Sequence, residues 1–351
     1  MTEGRRTVAD EGSARVRVLA GTAVGALVIA VALAGVTLLR GGDLGALIPT
    51  VGDTGSQTPS ASPSAPVLSP FTGLPAPWDR PVLAVKVDNV RPARPPTGLT
   101  KADIVYVEPV EGGLSRILAV FSSRLPASVG PVRSARESDL ELLRQFDRPA
   151  LAFSGANRRV LKLIRDAPVV EVSPDRAGKA YRRSPSRPAP HNLFASPAEL
   201  LERARDVSGA RDIGFRFGAL PAGTGKPATS REVGYGAAST AFRRRDGHWL
   251  VSFDGRPATT TEGQQLAAAT VVIQYVRIGP SRFRDSLGNV TPYTHSVGSG
   301  TAVVLRDGVA VDARWSRPDA SGGTSFTTAA GAPLPFAPGQ VWVVFAPEPR
   351  G

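Results

Sequence analysis

Cysteine is absent from the 351 residues, which excludes a disulfide framework, thiolate metal sites, thiol catalysis and a lipid-modified cysteine anchor. Stability must come from packing. Histidine is scarce: the three, at positions 191, 248 and 295, are widely separated with no paired ligand spacing, so no zinc or other metal site is expected. Aromatics make up only 6%, and without a recognisable binding motif or interleaved aromatics nucleic acid is not expected as a partner. No Gly-x-Ser-x-Gly elbow and no complete phosphate loop occurs. The nearest approach, Gly223-Thr224-Gly225-Lys226, is followed by Pro227 where Ser or Thr is needed, so no nucleotide cofactor is expected.

Long apolar runs are lacking too, with one exception. Residues 18–39 carry no charge, and at ~1.5 Å per residue a helix of that length spans a ~30 Å hydrocarbon layer. Arg5, Arg6, Arg15 and Arg17 precede it; the positive-inside tendency keeps residues 1–17 cytoplasmic and sends everything after Leu39 outside. The run exceeds the ~7 to 15 apolar residues of a cleaved secretory signal, so a retained single-pass transmembrane helix in the cell membrane is expected. Residues 40–70 contain the polar, proline-spaced run Ser56-Gln57-Thr58-Pro59-Ser60-Ala61-Ser62-Pro63, which cannot bury a core and reads as a disordered linker.

With 42% hydrophobic residues the remainder can bury a core, and its length favours two domains. Residues 1–70 hold five arginines and five acidic residues, so the whole net charge of +12 lies beyond them. A basic exported domain beside a membrane attracts anionic lipids, phosphorylated glycans or wall polymers. Arginine supplies 37 of the 42 basic residues in a Gly- and Pro-rich chain, and biased composition accounts for the charge equally well.

Short β-branched or aromatic runs at 81–87, 104–107, 114–121, 150–153 and 169–172 predict strands. Residues 134–146 switch to helical spacing, with Ser134 and Glu137 forming a capping-box pattern. Further helices are predicted over 157–165, with Val160, Leu161 and Ile164 inward, and over 196–205, opened by Ser196-Pro197-Ala198-Glu199. This alternation predicts an α/β (α+β) domain over 71–218. After a Gly/Pro/Thr-rich loop, Asp246-Gly247 and Asp307-Gly308 each sit between alternating segments, a hairpin signal. Residues 270–278 and 341–345 add strands, so 228–347 is expected to be a mainly antiparallel β domain.

Charged residues concentrate on loops beside these strands, where ligand sites are commonly built. Gly130-Pro131-Val132-Arg133-Ser134-Ala135-Arg136 feeds two guanidinium groups and a hydroxyl into a predicted helix N-terminus, a ready anion site. The bland alternative is that Ser134 caps while Arg133 and Arg136 pair with Glu108, Glu111 or Asp139. Asp88, Asn89, Arg91 and Arg94 follow a strand; an Asx turn accounts for Asp88 and Asn89 but leaves the arginines unexplained. Glu108 and Glu111 flank a strand end before Gly112-Gly113 and Arg116, and converging carboxylates would serve acid–base work or hold a cation. His191-Asn192 is a candidate catalytic or phosphate-binding pair, with loop capping as the commoner role; Asp88, Glu111 and His191 are thus the catalytic candidates.

The stretches PFTGLP (70–75), VDNVRPARPPTGL (87–99), ADIVYVEPVEGGLSR (102–116), GPVRSAR (130–136) and APHNLF (189–194) resemble the YerB-like bacterial envelope proteins. VVIQY (271–275), GSGTAVVLRDG (298–308), RWSRP (314–318) and PGQVWVVF (338–345) extend the likeness. That family, usually lipoproteins, is built of paired N- and C-terminal domains of unknown function, so the resemblance carries over no activity. Family members often carry a lipobox cysteine; this chain has none. The strand, Ser-Arg strand and Arg-loop-helix order more distantly resembles the LytR-CpsA-Psr phosphotransferases, a likeness at the level of fold. The reading that emerges is an anchored extracytoplasmic protein binding an anionic cell-envelope ligand through Asn89, Arg91, Arg94, Glu108, Arg116, Arg133, Ser134, Arg136 and Asn192. The alternatives are a phosphotransferase or hydrolase using His191 or Asp88, and a non-catalytic scaffold whose β-rich domain meets another envelope protein.

Overall fold

The computed structural model describes residues 66–285 and 288–348; the apolar run at 18–39 and most of the expected linker lie outside them. Among the described residues no helix is long and apolar enough to cross a membrane. The fold is already under way in the last residues of that linker: Leu68 bridges to Pro75, and Ser69 and Pro70 are buried beside Phe71.

β1 (Leu83–Asp88), β2 (Ile104–Pro109) and β3 (Ser115–Phe121) arise where β-branched and aromatic residues run between Gly, Pro and Asp. All three are buried on both faces, so their sequences are near-continuously apolar rather than alternating. β1 pairs antiparallel with β3 and parallel with β4 (Ala150–Ala152). α1 (Glu137–Leu143) precedes β4, and α2 (Arg158–Asp166) crosses from β4 to the parallel β5 (Val170–Glu171). α3 (Pro197–Arg203) starts as expected, the Ser196 hydroxyl accepting from the Glu199 N–H.

One expected helix start moves. Helix α1 begins at Glu137 rather than at Ser134, because the preceding residues are held extended by tertiary backbone bonds. The Arg133 N–H donates to Lys86 O, the Ser154 N–H to Arg133 O, and the Ala135 N–H to Gly155 O. The Asp139 carboxylate, not Ser134, then accepts from the Arg136 N–H at 2.7 Å, so an acidic side chain already fills that terminus.

In the second half, β6 (Thr270–Val276), β7 (Gly298–Arg306), β8 (Val309–Arg317) and β9 (Ser325–Thr328) pair antiparallel in the order β6-β7-β8-β9. Asp307 (φ 46°) and Gly308 (φ 81°) make the β7–β8 turn left-handed at both positions, the conformation that a two-residue hairpin requires. Asp246 and Gly247 do the same between the strands Ser239–Arg245 and His248–Phe253. The strand expected over 270–278 breaks at Arg277, and a separate hairpin, Ile278–Arg284 with Val290–Thr294, follows.

β10 (Val341–Pro347) is the last strand, and it pairs parallel with β6 on one side and with β2 on the other. The two halves therefore share one eleven-stranded sheet, in the order β9-β8-β7-β6-β10-β2-β3-β1-β4-β5 with Lys226–Pro227 beside β8. The described residues form one compact unit. One face of this sheet carries Val85, Val87, Val107 and Trp342, packed against Phe242, Trp249 and Phe253 of the smaller sheet. The other carries Ala84, Tyr106, Leu118 and Phe345, packed against α1, α2 and Phe215.

Candidate functional site

Strand register assembles the charged residues. Arg116 lies opposite Asp88 in β1 and opposite Glu108 in β2, and lateral neighbours in a sheet project to the same face. Lys86, two residues before Asp88, shares that face. Two charged layers result at this end of the sheet.

The inner layer is sealed. The Lys86 ammonium contacts Glu108 and donates to Asp139 Oδ1 at 2.7 Å, with Lys86 and Asp139 fully buried and Glu108 nearly so. Burial pushes the Glu108 carboxyl up; Lys86 opposes this, and the adjacent Asp139 carboxylate adds to it. One ammonium neutralises only one of two carboxylates, so this cluster is electrically balanced when the two acids hold one proton between them.

The outer layer opens into a cavity of about 450 Å³ whose lining includes Arg116, Arg133, Ser134, Arg136, Asn157 and Phe283. Asp88 Oδ2 bonds the His191 Nδ1 at 2.8 Å and lies 3.1 Å from the Arg133 Nε, an ion pair without hydrogen-bond geometry. Arg136 forks onto Glu111 with two 2.8 Å bonds, and the Thr291 hydroxyl donates to the same carboxylate at 2.6 Å. Burial works to raise the Glu111 carboxyl, but the hydrogen bonds and charge of Arg136, with the Thr291 hydroxyl, outweigh it and hold the group below its ordinary range.

Arg116 is different. It is 9% exposed, and among the described residues its Nε and Nη1 find no hydrogen-bond acceptor and its only ion-pair approach is 4.0 Å to Glu111. Burial, and then repulsion from Arg136, lowers its guanidinium to about 10. Arg116, Arg133, Arg136 and Arg284 line this cavity together with Glu137 and Asp285, and Asp88 and Glu111 pair with Arg133 and Arg136 behind it, so formal charge is near balance and it is the unmet donors of Arg116 that favour an anion. The N-terminal end of α2 adds to this, since Gly155, Ala156 and Asn157 line the same cavity.

The expected residues do not all meet there. Asp88 and Asn89 are consecutive, so their side chains take opposite faces. The Asn89 amide donates to the Ser115 hydroxyl at 2.9 Å and accepts from Arg94 Nε at 3.3 Å. Arg94 also donates to Asp254 at 2.8 Å, with Arg91 3.7 Å from the same acid. Arg91 and Arg94 border a second cavity of about 260 Å³, with Phe253 and Arg256. Glu108 belongs to the sealed layer. Asn192 accepts from Arg183 at 2.7 Å and its amide donates to Ser184 O at 3.4 Å, which ties down the hairpin of Tyr181–Arg183 and Leu193–Ala195 and so carries His191 back to Asp88. Sequence reasoning missed Asp254, Thr291 and Phe283, which come from the second half. Asp254-Gly255 was legible as a third left-handed turn signal; nothing local marks the other two. Among the described residues no three His, Cys, Asp or Glu side chains gather as a metal site.

Residues 71–210 match the family model "Protein of unknown function (DUF3048) N-terminal domain", and residues 231–343 match its C-terminal counterpart. The chain belongs to the DUF3048 family. A relative named "Putative lipoprotein YerB", from Bacillus subtilis (strain 168), is 26% identical over 294 residues, which is 80% of this chain and 86% of that protein. The crystal structure of the YerB protein from Bacillus subtilis matches with a TM-score of 0.69 at 24% identity, covering 80% of this chain and 97% of that one. The DUF3048 matches thus take in both halves of the shared sheet and every residue of the charged layers described above.

Proposed function

We propose that this DUF3048 protein is a membrane-anchored, extracytoplasmic binder of an anionic cell-envelope ligand, a phosphorylated glycan, lipid or wall polymer, held in the cavity of Arg116, Arg133, Ser134 and Arg136. The observation that carries this reading is Arg116: a nearly buried cation, bordering a cavity, with two donors that find no acceptor. Leaving such donors unmet costs about 1–3 kcal/mol, a cost that a bound phosphate removes. The anchor follows from the apolar run at 18–39. The Bacillus relative is named a lipoprotein, and since this chain has no cysteine to carry a lipid, the apolar run takes that place.

A second reading rests on the Asp88–His191 pair. Asp88 is buried and accepts from His191 Nδ1, which fixes the ring and leaves Nε2 free as an acid or base. Arg133 touches the same carboxylate and borders the cavity. A phosphotransferase or hydrolase acting on the same ligand would use His191 in that role.

Titrating the full-length chain with a polyprenyl phosphate in detergent, and with poly(glycerol phosphate), tests both. Saturable binding is expected, weakened about tenfold or more by Arg116→Gln or Arg133→Ala, as loss of a charged hydrogen bond worth about 1.5–3 kcal/mol requires. Arg256→Gln, at the other cavity, leaves it unchanged. Equal affinity in parent, Arg116→Gln and Arg133→Ala overturns the site. His191→Asn retains binding in either reading and abolishes turnover only in the second.

A further inference from the structure

We infer that the first described segment, residues 67–78, is a membrane-facing surface whose apolar side chains rest in the headgroup layer of an anionic bilayer. Among the described residues six large apolar side chains stand exposed, and four of them, Val67, Leu68, Leu74 and Trp78, belong to this one segment. Single exposed apolar residues are ordinary on any protein; a cluster marks an interaction surface. A fifth, Leu125, is on a neighbouring loop, since Ser122 of that loop donates its hydroxyl to Arg80 O at 3.0 Å and the Arg80 guanidinium donates to Ser123 O.

The segment is a built knot rather than a loose end. The Ser69 N–H donates to Leu74 O at 2.7 Å, the Ala76 N–H to Val67 O at 3.0 Å, and the Trp78 indole N–H to Leu68 O at 2.6 Å. Phe71 fastens it from beneath, fully buried with its ring edge-on to Phe146 at 5.4 Å. The exposed residues are therefore held in place on a fixed platform.

What covers the platform follows from the chain that leads to it. This surface holds the first described residues, and the chain before it carries the apolar run at 18–39. Only 27 residues separate Leu39 from Val67 in the sequence, so these are the first described residues delivered to the bilayer. Tryptophan and leucine beside exposed arginines, Arg80 and Arg124, is the chemistry of an anionic lipid interface: the apolar bodies enter the headgroup zone and the guanidinium groups meet lipid phosphates. The inference rests on the membrane-anchored part of the proposed function and is independent of the arginine cavity.

The chain reports on itself. Of its four tryptophans, Trp249 and Trp342 are fully buried and Trp315 is 3% exposed, whereas Trp78 is 43% exposed, so a quencher carried in the lipid reads Trp78. The full-length chain is reconstituted into vesicles of phosphatidylcholine and phosphatidylglycerol whose acyl chains are brominated near the headgroup, with flotation scored in parallel. The expected result is a chain that floats and loses emission relative to unbrominated vesicles. That loss disappears in Trp78→Phe and shrinks in Leu68→Glu/Leu74→Glu, which still floats. A floating chain without quenching overturns the inference and leaves the anchor standing. Quenching that persists in Trp78→Phe comes from another tryptophan and also overturns it. A chain that stays out of the lipid fraction overturns both.

Discussion

Replacing Lys86 by Met tests the sealed charge layer most directly. The substitution keeps the length and flexibility of the side chain, so its packing cost is small, but it removes the one cation from between Glu108 and Asp139. Lys86 and Asp139 are fully buried and Glu108 is 3% exposed, so water screens neither acid. Breaking a buried ion pair by removing one partner costs about 3–5 kcal/mol, a large part of the ~5–15 kcal/mol that holds a domain folded. The loss depends on pH with a definite sign. Lys86 opposes the rise that burial imposes on the Glu108 carboxyl, so without it that group is raised further; the cost is smallest below the ordinary glutamate range and grows as pH rises through the raised value. In acid only lost hydrogen bonds remain, about 1 kcal/mol each. The parent chain has the same sign at Glu108, already raised by burial: its contribution is fully present below the ordinary glutamate range and is lost as pH rises through the raised value. Urea unfolding, followed by the buried Trp249 and Trp342 at about pH 5 and about pH 8, measures both quantities. A loss below about 1 kcal/mol, or one that is equal at the two pH values, refutes the charge-layer assignment. Adding Glu108→Gln to Lys86→Met is expected to recover part of the loss at the higher pH.

Three further substitutions probe the joint between the halves. Burial tends to raise the Asp254 carboxyl, but the Ser239 N–H and the guanidinium groups of Arg94 and Arg91 outweigh it and depress the group. Its contribution is therefore present above the ordinary aspartate range and lost as pH falls through the depressed value; Asp254→Ala costs about 1–2 kcal/mol at neutral pH, and its acid-denaturation curve converges with the parent's in strong acid. Gly112 and Gly113 both sit at φ +69°, but a Cβ at 112 meets nothing within 4 Å, whereas one at 113 falls 2.5 Å from Tyr235 O. Urea midpoints should show Gly112→Ala losing about 1–2 kcal/mol, the left-handed cost alone, and Gly113→Ala about 1–3 kcal/mol more from the clash.

Local physics made much of this molecule legible. Asp-Gly pairs predicted both main hairpins because only left-handed residues close a two-residue turn. Ser196 opened α3, and the apolar spacing of Val160 and Ile164 located α2 within one residue. What stayed illegible depends on residues far apart in sequence. No local pattern announces that β10 inserts, parallel, between β6 and β2, since parallel neighbours need not be close along the chain. Ser134 satisfied a capping-box pattern and still does not cap, because three backbone bonds from β1 and the 154–155 loop hold that stretch extended. The site was half legible for the same reason: clustering on loops identified Arg116, Arg133 and Arg136, but the alternation that separates Asp88 from Asn89, and so sends Arg94 to another cavity, needed the exact end of β1.

The shared sheet also explains why one arginine is left over. Glu137 in the cavity lining and Glu111 behind it are acids of the N-terminal half that the second half reaches. The C-terminal half engages them: Thr291 donates to Glu111 at 2.6 Å, and Ser281 and Arg282 donate to Glu137 at 2.6 and 2.9 Å. Arg136 takes both oxygens of Glu111, and Asp88 is held by Arg133 and His191. Each of these three acids thus has its charge met by a group other than Arg116, whose buried Nε and Nη1 are left without an acceptor. The hairpin of Ile278–Arg284 and Val290–Thr294 thus completes the surroundings of the proposed site, which draws on both halves of the shared sheet.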